Sequence, residues 1–194
     1  EALEAANAVP SSADVNDGMD IQAEITLLDD VYLDEDVYDI SLGDNPFPLY
    51  LDLNGHTMSI PHANSFVISG NTDFQIFDSQ YDGAPGSIVC TTNEVTDGAL
   101  ISVDGASLSA SDVTIDGANA VGIRNSSGFI DIYNCNVTGY DGIINSGTLD
   151  IYDGSVTGTR RAVSTVDDPD NPSSSSYFSG CTISGGDYGV YAPG

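Results

Sequence analysis

Residues 128–139 read GFIDIYNCNVTG, and residues 147–158 read GTLDIYDGSVTG, the same pattern repeated nineteen residues later. A globular core has no reason to repeat at that interval, whereas a stack of like coils does. Two further lines align on the Gly that ends each unit: SLSASDVTIDG (107–117) and SSYFSGCTISG (175–185). Read down the columns, one position holds Leu108, Ile130, Leu149 and Ser176, and the next holds Ala110, Ile132, Ile151 and Phe178. A third holds Val113, Cys135, Gly154 and Cys181, and the last holds Ile115, Val137, Val156 and Ile183. Within a line apolar and polar residues alternate, which is strand periodicity. Between lines apolar residues share a column, so each unit reads as one turn of a solenoid whose core is stacked on itself.

A second short strand follows each line. VGIRNS (121–126), GIINS (142–146), RAVST (161–165) and YGVYA (188–192) occupy matching places, with Ile123, Ile143 and Val190 directed inward. Two or three strands per turn predict a parallel coil that rises about 4.8 Å, the spacing of strands in a sheet. The glycines that end each unit are expected to supply the positive φ of sharp corners. ITLLDDVYL (25–33), LYLDLNGHTMSI (49–60), SFVISG and FQIFD (65–78), and SIVCTT with ALISV (87–103) follow the same plan with looser spacing. The opening EALEAANAV has apolar residues at helical intervals and an acidic first turn, which predicts a short helix over the first coil, covering its edge. The expected organisation is a cap segment over residues 1–20, then a solenoid of about seven to eight coils over 21–194, open at its C-terminal end.

The balance of charge narrows function. Thirty acids stand against three cations, all arginine, for a formal charge of −27. Such a chain repels nucleic-acid backbone and anionic lipid, which argues against both as partners. The acids are mostly Asp, set among Gly, Asn, Ser and Thr, a composition of turns and strand edges. No run of eighteen apolar residues is present to cross a bilayer as a helix. The chain opens without Met or a signal peptide, and we expect a mature extracellular or cell-surface product. Few tryptic sites suit that setting. Cys90, Cys135 and Cys181 are an odd count without a C-x-x-C pair, and read as small buried apolar residues rather than zinc ligands.

LYLDLNGHTMSI, preceded by ITLLDDVYL, resembles the entry coil of right-handed parallel β-helix proteins with pectin-lyase-like folds. More narrowly, it is similar to their non-enzymatic branch among bacterial and archaeal cell-surface and adhesin-like proteins. There a short helix, a TLL-D-V strand and an LDLNG-T strand open the solenoid, and irregular repeats of the G…I.NSG.L.I…..TG kind follow. The resemblance runs from about residue 21 to the end. It implies an all-β chain, a single-stranded right-handed parallel β-helix (β-solenoid) with a short N-terminal capping helix. Folds of this kind host lyases, hydrolases, adhesins and plain stalks, so function has to be argued from particular residues.

Lyases of the resembled fold use a basic residue beside a uronate, often with Ca²⁺ held by acids. Here only Arg124, Arg160 and Arg161 could serve. They read either as a small basic spot for an anionic sugar or as partners of neighbouring Asp. The hydrolases need clustered carboxylates. GNTDF (70–74) resembles part of a polygalacturonase signature, without the Asp-Asp, Gly-His-Gly and Arg-x-Lys segments that accompany it. Asp29–Asp30 and Asp167–Asp168 are adjacent pairs, and neighbours on a strand point to opposite faces. His56 reads as a corner residue and His62 as a surface one.

Calcium is the better-supported metal. Asp131 stacked over Asp150 would be a like-charge pair unless screened or bridged. Asp34 and Asp36, with Asp29, Asp30, Glu35 and Asp39 around them, form one oxygen-rich cluster; Asp167, Asp168, Asp170 and Asn171 form another. Both offer hard ligands to Ca²⁺, and both read first as a solvated acidic face adapted to salt or solubility. No cofactor is required by anything in the sequence. DDPDNPSSSS (167–176) is expected to loop outward, since prolines cannot continue a ladder. Tyr133 and Tyr152 fall in one outward column, suited to sugar rings or to stacking across coils. Asn125-Ser-Ser and Asn136-Val-Thr are glycosylation sequons.

The expectation is a non-catalytic extracellular structural or adhesive β-solenoid: a surface stalk, an adhesin module or a subunit of a fibre that stacks end to end. Its partners would be copies of itself or further repeats at the open coil, and glycans at its surface. The alternative is a relative that binds or cleaves polysaccharide.

Overall fold

Alternating strands, most of them four to six residues long and punctuated by Gly, Asn and Asp, cannot each bury an apolar face alone; stacking in register does it for them. The computed structural model describes residues 23–34, 40–44, 47–80, 83–166 and 174–192. Among the described residues every element is a strand and every pairing is parallel. The capping helix expected within residues 1–20 lies outside them.

Seven strands form one sheet, in chain order Ala23–Thr26, Leu49–Asp52, Asp73–Phe77, Ser107–Ser111, Phe129–Tyr133, Thr148–Tyr152 and Ser175–Ser179. A twelve-stranded sheet carries the rest of each turn as two ladders. One runs from Val31–Tyr32 through Thr57–Ile60, Ser87–Cys90 and Thr114–Asp116; the other from Ile40–Gly43 through Phe66–Ser69, Ala99–Asp104 and Val121–Asn125. They meet in two long strands, Asn136–Asn145 and Ser155–Thr165, and part again into Thr182–Gly185 and Tyr188–Tyr191. The chain therefore passes through the same three ladders on successive turns, a solenoid-like stack.

Register places the sequence columns on one another. Leu108, Ile130, Leu149 and Ser176 are consecutive partners, as are Ala110, Ile132, Ile151 and Phe178. Across the core stand Ile115, Val137, Val156 and Ile183, and beside them Ile123, Ile143, Val163 and Val190. Ile132, Ile151, Val137, Val156, Ile123 and Ile143 have no solvent exposure; removing such a side chain from water contributes about 1.5–3 kcal/mol each. In the earlier turns Phe66 and Phe74 meet edge to face across the interior, 5.6 Å between centroids.

The corners correct one expectation. The glycines ending each unit, Gly117, Gly139, Gly158 and Gly185, do not have positive φ. They are small because backbone passes against them: a Cβ on Gly139 would lie 2.6 Å from the Asp141 carbonyl oxygen and 2.7 Å from that of Ala120. The left-handed corner is the preceding one, where Asp112, Asn134, Asp153 and Gly180 stack at φ 59°, 51°, 60° and 69°. Asn and Asp tolerate that region better than other side chains, so three coils manage without Gly there.

The serine run carries two overlapping readings, an outward loop over 167–176 and a strand line from 175. Residues 167–173 lie outside the described ones, but Ser175 and Ser176 enter the ladder opposite Thr148 and Leu149. The Asn145 side-chain amide donates to the Ser175 carbonyl at 3.1 Å and to Ser176 Oγ at 3.0 Å, holding them in register.

Candidate functional site

The outer face of the seven-stranded sheet carries the columns that do not enter the core. One reads Glu24, Tyr50, Gln75, Ser109, Asp131, Asp150 and Tyr177 along successive strands. The column two residues on includes Phe77, Ser111, Tyr133 and Tyr152. Between them lies an open groove of about 550 Å³, lined among others by Tyr50, Phe77, Tyr133, Glu24, Gln75 and Asp131. Tyr133 is 53% exposed, an aromatic face presented to solvent. The next rings up, Tyr152 and Tyr177, lie 5.6 Å apart at 48°. Tyr152 and Tyr133 are in register, as the repeat implies.

Asp131 and Asp150 are direct partners on adjacent strands, so their backbones stand about one strand spacing apart, ~4.8 Å, with both side chains on the same face. Asp131 Oδ1 is buried and receives no hydrogen bond. Burial, and then the charge of Asp150, push the Asp131 carboxyl above its usual range. Desolvation and the same two carboxylates also raise the Tyr152 phenol. The pair is thus short of a positive charge or a donor.

Other acids near the groove are committed. Asp52 Oδ1 accepts from the Asn54 and Ser79 amides at 2.9 and 3.0 Å, and its Oδ2 from Ser79 Oγ at 2.7 Å. Asp78 accepts from the Gly55, Gln80 and Gly86 amides at 2.8, 3.1 and 2.6 Å. These carboxylates tie one coil's turn to the next, and sequence reasoning passed over both, because their partners lie as far as 27 residues away.

The arginines gather on the far side of the turn. Arg160 grips Asp141 through two bonds, Nε to Oδ1 at 2.9 Å and Nη2 to Oδ2 at 2.5 Å. The Asp141 side chain is wholly buried, and the pairing holds the Arg160 guanidinium firmly charged. Arg160 also reaches Asp97 at 3.4 Å and lies 4.7 Å over the Tyr140 ring. Arg124 donates to the Asp97 carbonyl, and Arg161 lies 4.2 Å over Tyr191. Of the two readings of these residues, neutralisation of Asp is what Arg160 does, at a buried rather than an exposed carboxylate.

Of the candidate calcium ligands, Asp34 is exposed, while Asp36, Asp167, Asp168, Asp170 and Asn171 lie outside the described residues. Among the described residues no three His, Cys, Asp or Glu side chains converge as a metal site. Asp30 and His56 approach at 3.6 Å, and Asp30 Oδ1 accepts the Thr57 amide at 2.8 Å, which makes this a corner lock between coils.

The two sequons separate. Asn125 is fully buried; its amide donates to Asn145 Oδ1 at 2.8 Å and to the carbonyls of Gly128 and Thr148. This interior pair of stacked amides closes Asn125 to modification in the folded chain. Asn136 is exposed and open to it. Cys90 and Cys135 are buried, the latter thiol pushed up to about 11, first by desolvation; Cys181 is half-buried.

Comparison with protein-family models, with curated proteins and with solved structures returned no match.

Proposed function

We propose that the chain is a right-handed parallel β-helix of the pectin-lyase-like kind that serves outside the cell as a non-catalytic structural or adhesive solenoid. It would form a stiff stalk or fibre segment that stacks end to end on copies of itself. One observation carries this reading: the interior columns continue in register to the last described coil while their burial falls away. Val163 is fully buried, whereas Val190 above it is 48% exposed. Ile183 and Phe178 on the same coil are only partly buried. A further turn of the same kind, supplied by a second copy or by further repeats of a longer chain, matches both the apolar columns and the parallel ladder. Sedimentation velocity and negative-stain electron microscopy test this. Concentration-dependent rods are expected, and Val190→Asp should abolish them; a parent chain that stays monomeric at millimolar concentration overturns the reading.

The groove favours a second reading, glycan binding. Its exposed Tyr133 and partly buried Tyr50, with Gln75, Ser109 and Ser111 between them, offer ring faces and hydrogen-bonding groups together, the combination that sugar rings use.

A further inference from the structure

We propose that the groove on the outer face of the seven-stranded sheet, together with the strand beside it, binds an amino-sugar oligosaccharide, its ammonium seated between Asp131 of the groove and Asp150 on the adjoining strand and its ring faces laid on Tyr133 and the neighbouring rings. This rests on the glycan-binding reading and adds the class of sugar.

Charge comes first. Glu24, Asp112 and Asp131 line the groove and no Lys or Arg does. The chain's three cations, Arg124, Arg160 and Arg161, sit instead on strands of the other sheet. A uronate would therefore meet like charge and find no counter-ion, and an ammonium would meet the reverse.

The Asp131–Asp150 pair supplies the second reason. Two carboxylates stand in direct register, Asp131 lining the groove and Asp150 on the adjoining strand, and no Lys or Arg of the groove offsets their like charge. A neutral hydroxyl can give one hydrogen bond there; an ammonium gives up to three and cancels the repulsion.

Position supplies the third. Tyr133 is two residues from Asp131 on one strand, hence on the same face, and Tyr152 stands in the same relation to Asp150. A pyranose ring on a tyrosine would thus carry its amino group over the carboxylate beside it. An extended cationic peptide fits less well. The backbone amides and carbonyls of a sheet's face are already spent in the ladders, so a peptide laid on it would leave its own backbone groups without partners.

Isothermal titration of the full chain with a glucosamine tetramer, an N-acetylglucosamine tetramer, a galacturonate tetramer and tetralysine tests this, with amide chemical shifts to place the ligand. The glucosamine tetramer should bind with shifts centred on residues 129–133 and 148–152, and the N-acetylated tetramer about tenfold or more weaker, as loss of a charged hydrogen bond implies. The galacturonate tetramer should not bind. Asp131→Asn and Tyr133→Ala should each lower affinity by a similar factor, and Arg124→Ala should not. Equal affinity for the acetylated and free tetramers would overturn the ammonium site while leaving glycan binding intact. Tetralysine binding as tightly with the same shifts would reduce the effect to bulk charge and overturn it too. If no sugar binds, both this inference and the reading beneath it fall.

Discussion

Asp131 stands where two demands of a stacked solenoid conflict. The repeat that lays Ile132 under Ile151 also lays Asp131 under Asp150. Because the folded-state value of Asp131 is raised above the ordinary 3.8, the folded chain holds its proton to higher pH than the unfolded chain does. Stability then falls as pH rises through the raised value, and the penalty is absent below the unfolded one. Asp131→Asn should accordingly melt higher than the parent at about pH 7, with the difference closing at about pH 3. A variant that melts lower at neutral pH would show that the carboxylate is stabilising as it stands. The left-handed corner gives a second test at this scale. Asn134 sits at φ 51° and donates to Asp112 Oδ1 at 2.7 Å. Gly and Ala both forfeit that bond, so the difference between Asn134→Gly and Asn134→Ala isolates the backbone. Ala should be the less stable by about 1–2 kcal/mol in chemical denaturation; equal stabilities would mean the corner relaxes.

At the scale of the element, what could be read from sequence is what repeats. From Ser107 onward the columns recur at short intervals, Leu149 over Ile130 being nineteen residues, and four strand pairings fall where the apolar alternation puts them. Earlier turns have unequal lengths: Leu49 lies under Phe74, and Phe74 under Leu108, thirty-four residues on. No fixed period links them, which is why the Asp52 and Asp78 locks were not visible. Asp141 was illegible for another reason. Periodicity near a bulge misassigns faces, and the register shifts between Gly139 and Asp141, bringing Asp141 opposite Arg161 in a fully buried position. The strand Asn136–Asn145 can keep that charge inside only because Arg160 of the next strand covers it. Arg160→Ala should therefore cost about 3–5 kcal/mol, the penalty of orphaning a buried charge, in urea or guanidinium unfolding. A loss under 1 kcal/mol would mean that water already reaches the carboxylate.

For the molecule as a whole, the same stacking that makes a core without a centre leaves a charge problem at every join. Within one chain the acids of successive coils are held together by covalent continuity and by buried columns; in the proposed fibre only the columns would act between two copies. Two bodies of formal charge −27 repel at long range, and their apolar end coils meet only if that repulsion is screened. The Debye length shortens from about 30 Å at 0.01 M salt to about 3 Å at 1 M, while burial of Val190, Ile183 and Phe178 does not weaken with salt and is strengthened by sulfate. End-to-end assembly should then be absent at 0.01 M salt, appear as salt is raised, and be greater in sulfate than in chloride at matched ionic strength. Light scattering across such a series checks this, with Val190→Asp monomeric throughout and Tyr133→Ala, on the outer face two strands below the end coil, behaving as the parent. Assembly that is strongest at low salt would point instead to charge-paired contacts through the arginine corner, and the stacked-column account of the fibre would fail.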